Sequence, residues 1–326
     1  MPFDMALTLA YAGSRGINLT QVKEGNPTVP QVLPDGRLFW TGSDPRTNPY
    51  WNNVELHTAG GNSWYNSFQF GLLKRLSRGL RFQSSYTFSK LLDETQGQYG
   101  GDNAGVVVDS THRELDRGPA AFDITHNWRF NAIYNLPGLA SGGILPKLLN
   151  GWWMSGIVSL QGGYPMEATL GNTRSRHRNN PGANRPDLLL GRKNENIVSG
   201  ATAGCRGVAA GQKLGTPTLY FDPCAFATQP AGFLGNEGRN ILRDPGFATL
   251  DFSLVKDTAL AFLGESGKLE FRAEFFNILN RTNFSTPGTA AYPGVADGEP
   301  ALANAGRITS TRSTSRQIQF ALRLGF

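Results

Sequence analysis

Long apolar runs are missing from this sequence. No window supplies the roughly 18 uninterrupted apolar residues that a membrane-crossing helix needs, which excludes a helical membrane protein. Cysteine is nearly absent as well. The two present, Cys205 and Cys224, stand alone in a stretch rich in Gly, Ala and Pro, so they lack the second pair that would complete a zinc site. A loop disulfide is the favoured reading over two free thiols, and it requires an oxidising compartment. The four histidines, His57, His112, His126 and His177, occur in no HExxH, HxH or triad-like setting, so no catalytic residue and no enzymatic activity is expected. His112, Arg113, Glu114 and Asp116 form a mixed loop cluster best taken as a solvated face. Asp102, Asp109, Glu114 and Asp116 do not have the spacing of an EF-hand loop. No metal and no cofactor is expected.

Charge is sparse too, at 17% of residues, and the net +6 is spread along the chain. The densest basic run, Arg174 to Arg178, has no interleaved aromatics and reads as a solvated loop; nucleic acid is not an expected partner. The first residues carry neither a basic region nor a long apolar one, so they do not form a signal peptide, and an exported protein would begin further upstream.

What the chain does have is 11% aromatic residues and 40 glycines in a sequence of mean hydropathy −0.31. The aromatics fall on alternate positions, and period two signals a strand because successive side chains point to opposite faces. At the carboxy terminus Ile318, Phe320, Leu322, Leu324 and Phe326 alternate with Gln317, Gln319, Ala321, Arg323 and Gly325. The same alternation predicts seven earlier strands: Phe3 to Tyr11, followed by a GSRG turn; Trp64 to Leu72; Leu80 to Phe88; Trp128 to Leu136; a long one from Gly151 to about Leu170; Leu250 to Leu254; and Leu269 to Phe275. The closing strand starts as early as Arg307 on this pattern. Lys90 is the exception among nearly charge-free apolar rows, placed at a rim where its amine can snorkel. Trp64, Trp128, Trp152, Tyr86 and Tyr164 are candidates for interfacial aromatic girdles.

The connections alternate long and short. Gly13 to Asn62, the stretch after Leu92, Gly171 to Gly246 and Arg281 to Ala305 are long. LSRG, PGLASGGILPKLLN (with room for one helical turn) and FLGESGK are short. Outer-membrane barrels have short periplasmic turns and long extracellular loops, so the expected fold is all-β: part of an antiparallel transmembrane β-barrel of about eight strands. With Phe326 on the periplasmic side, every long connection, including the one with both cysteines, falls outside.

The segments SWYNSFQFGLLKRLSRGLRFQSSYTFSKLLDE, DRGPAAFDITHNWRFNAIYNLPG, GRNILRDPGFATLDFSLVKD and KLEFRAEFFNILNRTNFSTPG resemble, in order, the carboxy-terminal barrel segments of Oar-like TonB-dependent receptors. The resemblance covers nearly the whole chain; Asp244 departs from it, standing where that pattern usually has Gly. It implies a barrel of about 22 strands with a plugged lumen, of which residues 1–326 are the carboxy-terminal portion, without plug or signal peptide. It further implies location in the cell outer membrane and TonB-coupled passage of a bulky ligand (carbohydrate, peptide or metal chelate), with TonB reached only through an amino-terminal part. Outer-membrane lipid and the barrel assembly machinery are the other implied partners, the latter recognising a terminal aromatic strand, here Phe320, Leu322, Leu324 and Phe326. Tyr50, Trp51 and Tyr99, beside Asn and Asp in the long connections, are candidate ligand contacts. Two rivals are a self-closed eight-stranded structural or adhesive barrel and a soluble secreted β protein.

Deleting Phe326 is expected to impair outer-membrane assembly in cells more than it impairs folding into detergent. Equal assembly of the parent and truncated chains, measured in membrane fractions, would sink the proposed role of the terminal residue.

Overall fold

In the computed structural model the described residues are 4–95, 107–109, 111–138, 144–178, 185–264 and 266–326. Eight long strands form one continuous meander: β1 (Met5–Glu24), β2 (Glu55–Ser77), β3 (Leu80–Asp93), β4 (His126–Asn135), β5 (Trp152–Gln161), β6 (Phe247–Ala259), β7 (Lys268–Phe276) and β8 (Gln317–Gly325). Each pairs antiparallel with the next. All long connections consequently emerge at one end of the sheet and all short ones at the other. Among the described residues β1 and β8 do not pair, so the sheet does not close on itself as the eight-stranded rival requires.

The register carries the alternation across the sheet. Leu9, Phe70, Tyr86, Trp128 and Leu160 are successive partners across β1 to β5, and Tyr134, Met154, Leu254, Ala273 and Phe320 across β4 to β8. One face is therefore a band of large apolar side chains, and it stays exposed: Leu9, Tyr11, Phe68, Phe88, Phe320 and Leu322 all face outward. The other face is polar. There Arg272 lies between Glu270 (3.1 Å) and Glu274 (3.4 Å), and Arg129 donates to Gln161 at 3.1 Å. A slip of one residue would exchange the two faces in any strand, so the pattern specifies register strongly.

Several boundaries differ from the sequence reading. GSRG is not a turn: β1 runs through it to Glu24, paired with β2 from Glu55, and the irregularity is absorbed as register shifts around Leu19. Glycines that suggest a turn here allow close strand approach instead, since a Cβ on Gly16 would lie 2.6 Å from Ser63 Oγ. The fifth strand ends at Gln161, not near Leu170, because Gly162, Gly163 and Pro165 break it; a Cβ on Gly163 would meet the Asp244 carbonyl oxygen at 1.7 Å. Met166 and Ala168 then become buried away from the apolar face. β8 begins at Gln317, and residues before it, including Arg307, belong to the last long connection. Lys90 is not alone among the apolar rows: Lys74 and Lys256 share them near the short-connection end, where their amines reach Ser77 Oγ and the Asn150 carbonyl, each at 2.7 Å. The PGLASGGILPKLLN connection does form a short helix, α1 (Ile144–Leu149).

An arginine at the lipid-facing position of Leu322 is expected to cost about 2 to 4 kcal/mol of stability in a bilayer, against about 1 or less for Gln319→Arg on the opposite row. Denaturant titration of both variants in lipid vesicles measures the difference; equal costs would refute the assignment of faces.

Candidate functional site: the cap over the long-connection end

The long connections are not independent loops but a folded cap. Its apolar centre contains Ala168, Leu170, Ile197, Phe221, Ala225, Phe226, Leu242, Ala291 and Tyr292, all buried. Phe221 and Phe226 meet edge to face at 6.1 Å between ring centres. Short strand pairs lace the segments together: Pro165–Met166 with Leu242–Arg243, Asp187–Leu188 with Phe226–Ala227, and Thr169–Leu170 in parallel with Ala290–Tyr292. Cys205 and Cys224 are joined by a disulfide, with Cα atoms 5.5 Å apart. The Tyr292 hydroxyl, 3.8 Å from Cys205 Sγ, also lies 3.1 Å from the carbonyls of Pro223 and Phe226. The remaining long connections join the same body, as Trp40 N–H donates to the Gly232 carbonyl at 2.8 Å and Arg185 donates to the Leu115 carbonyl at 2.9 Å.

Arginines paired with buried carboxylates hold this cap together and tie it to the strand ends. Arg239 pairs with Asp93 at the end of β3, and Arg243 reaches Asp123 just before β4 at 2.5 Å. Arg312 reaches Asp244 at 2.5 Å, while Arg185 bonds Asp116 at 3.0 Å and Arg192 bonds Asp222 at 2.9 Å. Asp244 also accepts from Tyr164 N–H (2.6 Å) and the Thr286 hydroxyl (3.0 Å), so this departure from the resembled pattern joins three segments. Arg312 lies over the Tyr164 ring, which places that tyrosine in the cap and not in an interfacial girdle. Breaking such a pair from one side costs about 3 to 5 kcal/mol, because a buried charge is left uncompensated.

Acids outnumber bases around Arg185. Glu167, Glu237 and Asp116 surround one guanidinium, and burial pushes all three carboxyls upward, Glu237 to about 9. Glu237 accepts the Ala168 N–H at 2.9 Å, leaving its second oxygen without a partner, as are both side-chain polar atoms of Gln229. These groups border a cavity of about 210 Å³.

The sequence candidates are scattered over this end. Tyr50 and Trp51 are exposed in the first long connection, 25–54, whereas Tyr99 and Asp102 lie outside the described residues. His112 is bonded to Asp109 at 2.8 Å, but Asp116 in the same cluster is buried against Arg185, so that cluster is not uniformly a solvated face. Likewise the basic run is only partly solvated: Arg174, Ser175 and His177 are buried, Arg176 and Arg178 exposed. No group of three or more His, Cys, Asp or Glu among the described residues is arranged to hold a metal ion. Phe320, Leu322, Leu324 and Phe326 line the exposed face of β8 and its end. The paired arginines went unrecognised in the sequence because their partners are remote; Arg239 and Asp93 are 146 positions apart.

An antiparallel wall with an apolar outer row, a polar opposite row and a folded cap at its long-connection end has the architecture of an outer-membrane β-barrel. The chain belongs to the outer membrane beta barrel domain family, whose match spans residues 1–319, and this places it in the outer membrane. Among solved structures it is similar to the outer membrane transporter YddB from Escherichia coli, at 11% identity and a TM-score of 0.45, over 98% of this chain and 30% of that one. It thus spans under a third of that transporter's length. A search of curated proteins finds no match.

Because Glu237 holds its proton in the folded cap up to about pH 9 but loses it near 4.5 when unfolded, the folded state binds more protons between those values. Cap stability is therefore expected to fall as pH rises through that window. Glu237→Gln keeps an acceptor for Ala168 and should flatten this dependence, read by thermal melts from pH 4.5 to 9; an unchanged slope would contradict the assignment.

Proposed function

We propose that the chain is the carboxy-terminal part of the barrel of an Oar-like TonB-dependent receptor, which passes a bulky ligand across the outer membrane once the barrel is complete. The carrying observation is the pair of open edges, β1 and β8, on a sheet whose outer face is apolar and whose inner face is polar. In a bilayer an unpaired strand edge is not tolerated, because each unsatisfied backbone group has no water to turn to. Further strands must therefore bridge β8 back to β1, and an inner face bearing Arg129, Glu270 and Arg272 suits a wide wet lumen better than the filled interior of a narrow barrel. The packed cap belongs on this reading to the extracellular side, where its disulfide persists. Carbohydrate, peptide and metal-chelate ligands all remain compatible, and Tyr50 and Trp51 are available there to stack on one. TonB acts through the amino-terminal part, and the barrel assembly machinery through the terminal strand.

The test is heat-modifiable migration of the chain refolded in detergent, alone and with the polypeptide encoded immediately upstream. A compact, boiling-sensitive band is expected only when both are present. The same band from the chain alone would favour the self-closed barrel and overturn the proposal, as would energy-dependent uptake by cells producing only these 326 residues.

A further inference from the structure

The basic run Arg174 to Arg178 has a shape that its composition does not explain. Arg176 and Arg178 both adopt left-handed backbone conformations, at φ 59° and 56°. Non-glycine residues held there carry strain of about 1 kcal/mol or more, retained only where the surroundings over-determine it. Here the surroundings do so. The intervening His177 is fully buried, edge to face with Trp40 at 5.9 Å, its Nδ1 is 2.9 Å from Ser175 Oγ, and its carbonyl accepts the Thr28 hydroxyl at 2.5 Å. The carbonyl of Arg178 accepts from Asn53 Nδ2 at 3.1 Å, and its guanidinium is bonded to the Asp44 carbonyl. The backbone is pinned from inside, and Arg176 and Arg178 on either side of His177 are both exposed.

They border an open depression of about 510 Å³, together with Gly42, Asn53 and Thr173. The aliphatic stem of Arg176 runs beside Gly42, where a Cβ would meet it at 3.6 Å, yet its guanidinium forms no ion pair or hydrogen bond among the described residues. Among the described residues no carboxylate lines the depression. Asp44 is buried and occupied by Thr41 Oγ1 (2.9 Å) and Gly42 N–H (3.0 Å), while Glu24 takes the N–H groups of Asn26 and Val54 at 2.8 Å. Arg46, bonded to Asn53 Oδ1 at 2.5 Å, is paired with the buried Glu24 at 3.9 Å, so the positive charge facing the depression is that of Arg176 and Arg178. Guanidinium groups with planar donor forks suit carboxylate and phosphate oxygens.

We propose that this depression, built by Asn53, Thr173, Arg176 and Arg178, is a binding site for an anionic group, carboxylate or phosphate, on a ligand arriving at the long-connection end. Tyr50 and Trp51 precede Asn53 in a segment held by Asn26, whose amide donates to the carbonyls of Asn48, Trp51 and Asn52 at 2.9 to 3.0 Å. The proposal rests on the receptor reading only for the ligand's later passage.

Equilibrium dialysis of the chain refolded in non-ionic detergent together with the polypeptide encoded immediately upstream, with citrate and with inorganic phosphate as probes and sucrose as an uncharged control, tests it directly. Saturable binding of one equivalent of either anion is expected, weakening as salt is added, with no binding of sucrose. Arg176→Asn, whose new residue tolerates the left-handed backbone, should weaken binding at least about tenfold; Arg176→Lys should recover part of it, and Arg307→Asn, at an exposed residue of the last long connection, should change nothing. Retention of the Cys205–Cys224 disulfide and of the circular dichroism spectrum verifies the fold of each variant. Absence of saturable anion binding, or equal binding by the parent and Arg176→Asn, would overturn the proposal. Dialysis involves no passage, so such a failure leaves the barrel-completion test untouched, and failure of that test leaves the anion site standing.

Discussion

An unsatisfied peptide N–H or C=O in hydrocarbon costs several kcal/mol, and the whole architecture follows from avoiding that cost. Every long strand from β2 to β7 pairs with both of its neighbours in sequence, antiparallel throughout, which puts alternate connections at alternate ends. Pairing in turn demands a register, and lipid on one face selects the register in which large apolar side chains line up across the sheet. The polar row on the reverse face is then free to carry charge, as Glu270, Arg272 and Glu274 do.

The two ends of the sheet solve different problems. At the short-connection end, tight turns and α1 need little more than backbone bonding, and lysines in the apolar rows curl back to nearby oxygens. At the other end the chain has left the lipid and must satisfy its polar backbone in a body of its own. It does so with a small apolar centre, a disulfide and a set of arginines that reach strand ends or other connections. A buried ion pair adds little net stability compared with an apolar contact, but it discriminates strongly against misplacement, since a wrongly seated arginine leaves two charges stranded. That discrimination suits a cap assembled from four connections, whose alternatives are many.

Much of the wall was legible in the residues. Alternation located eight strands and their faces because the period of a strand is local, and the difference between long and short connections needed only the spacing of those strands. Boundaries were less legible. GSRG looks like a turn and is strand, since the partner that keeps it extended begins at Glu55; Tyr164 to Ala168 continue the alternation and yet leave the sheet, since Gly163 passes against Asp244. In both places a contact remote in sequence overrides local preference.

The candidate site was barely legible. Arg176 and Arg178 are recognisable as basic residues, but whether they are solvated side chains or the border of one depression depends on the burial of His177 and on Asn53, over a hundred residues away. Sequence by itself determined the membrane-facing wall, because lipid imposes the same two-residue rule on every strand wherever it lies. Only the tertiary structure decided the cap, its ion pairs and its depression, because those depend on side chains brought together by chain closure, for which no local period exists.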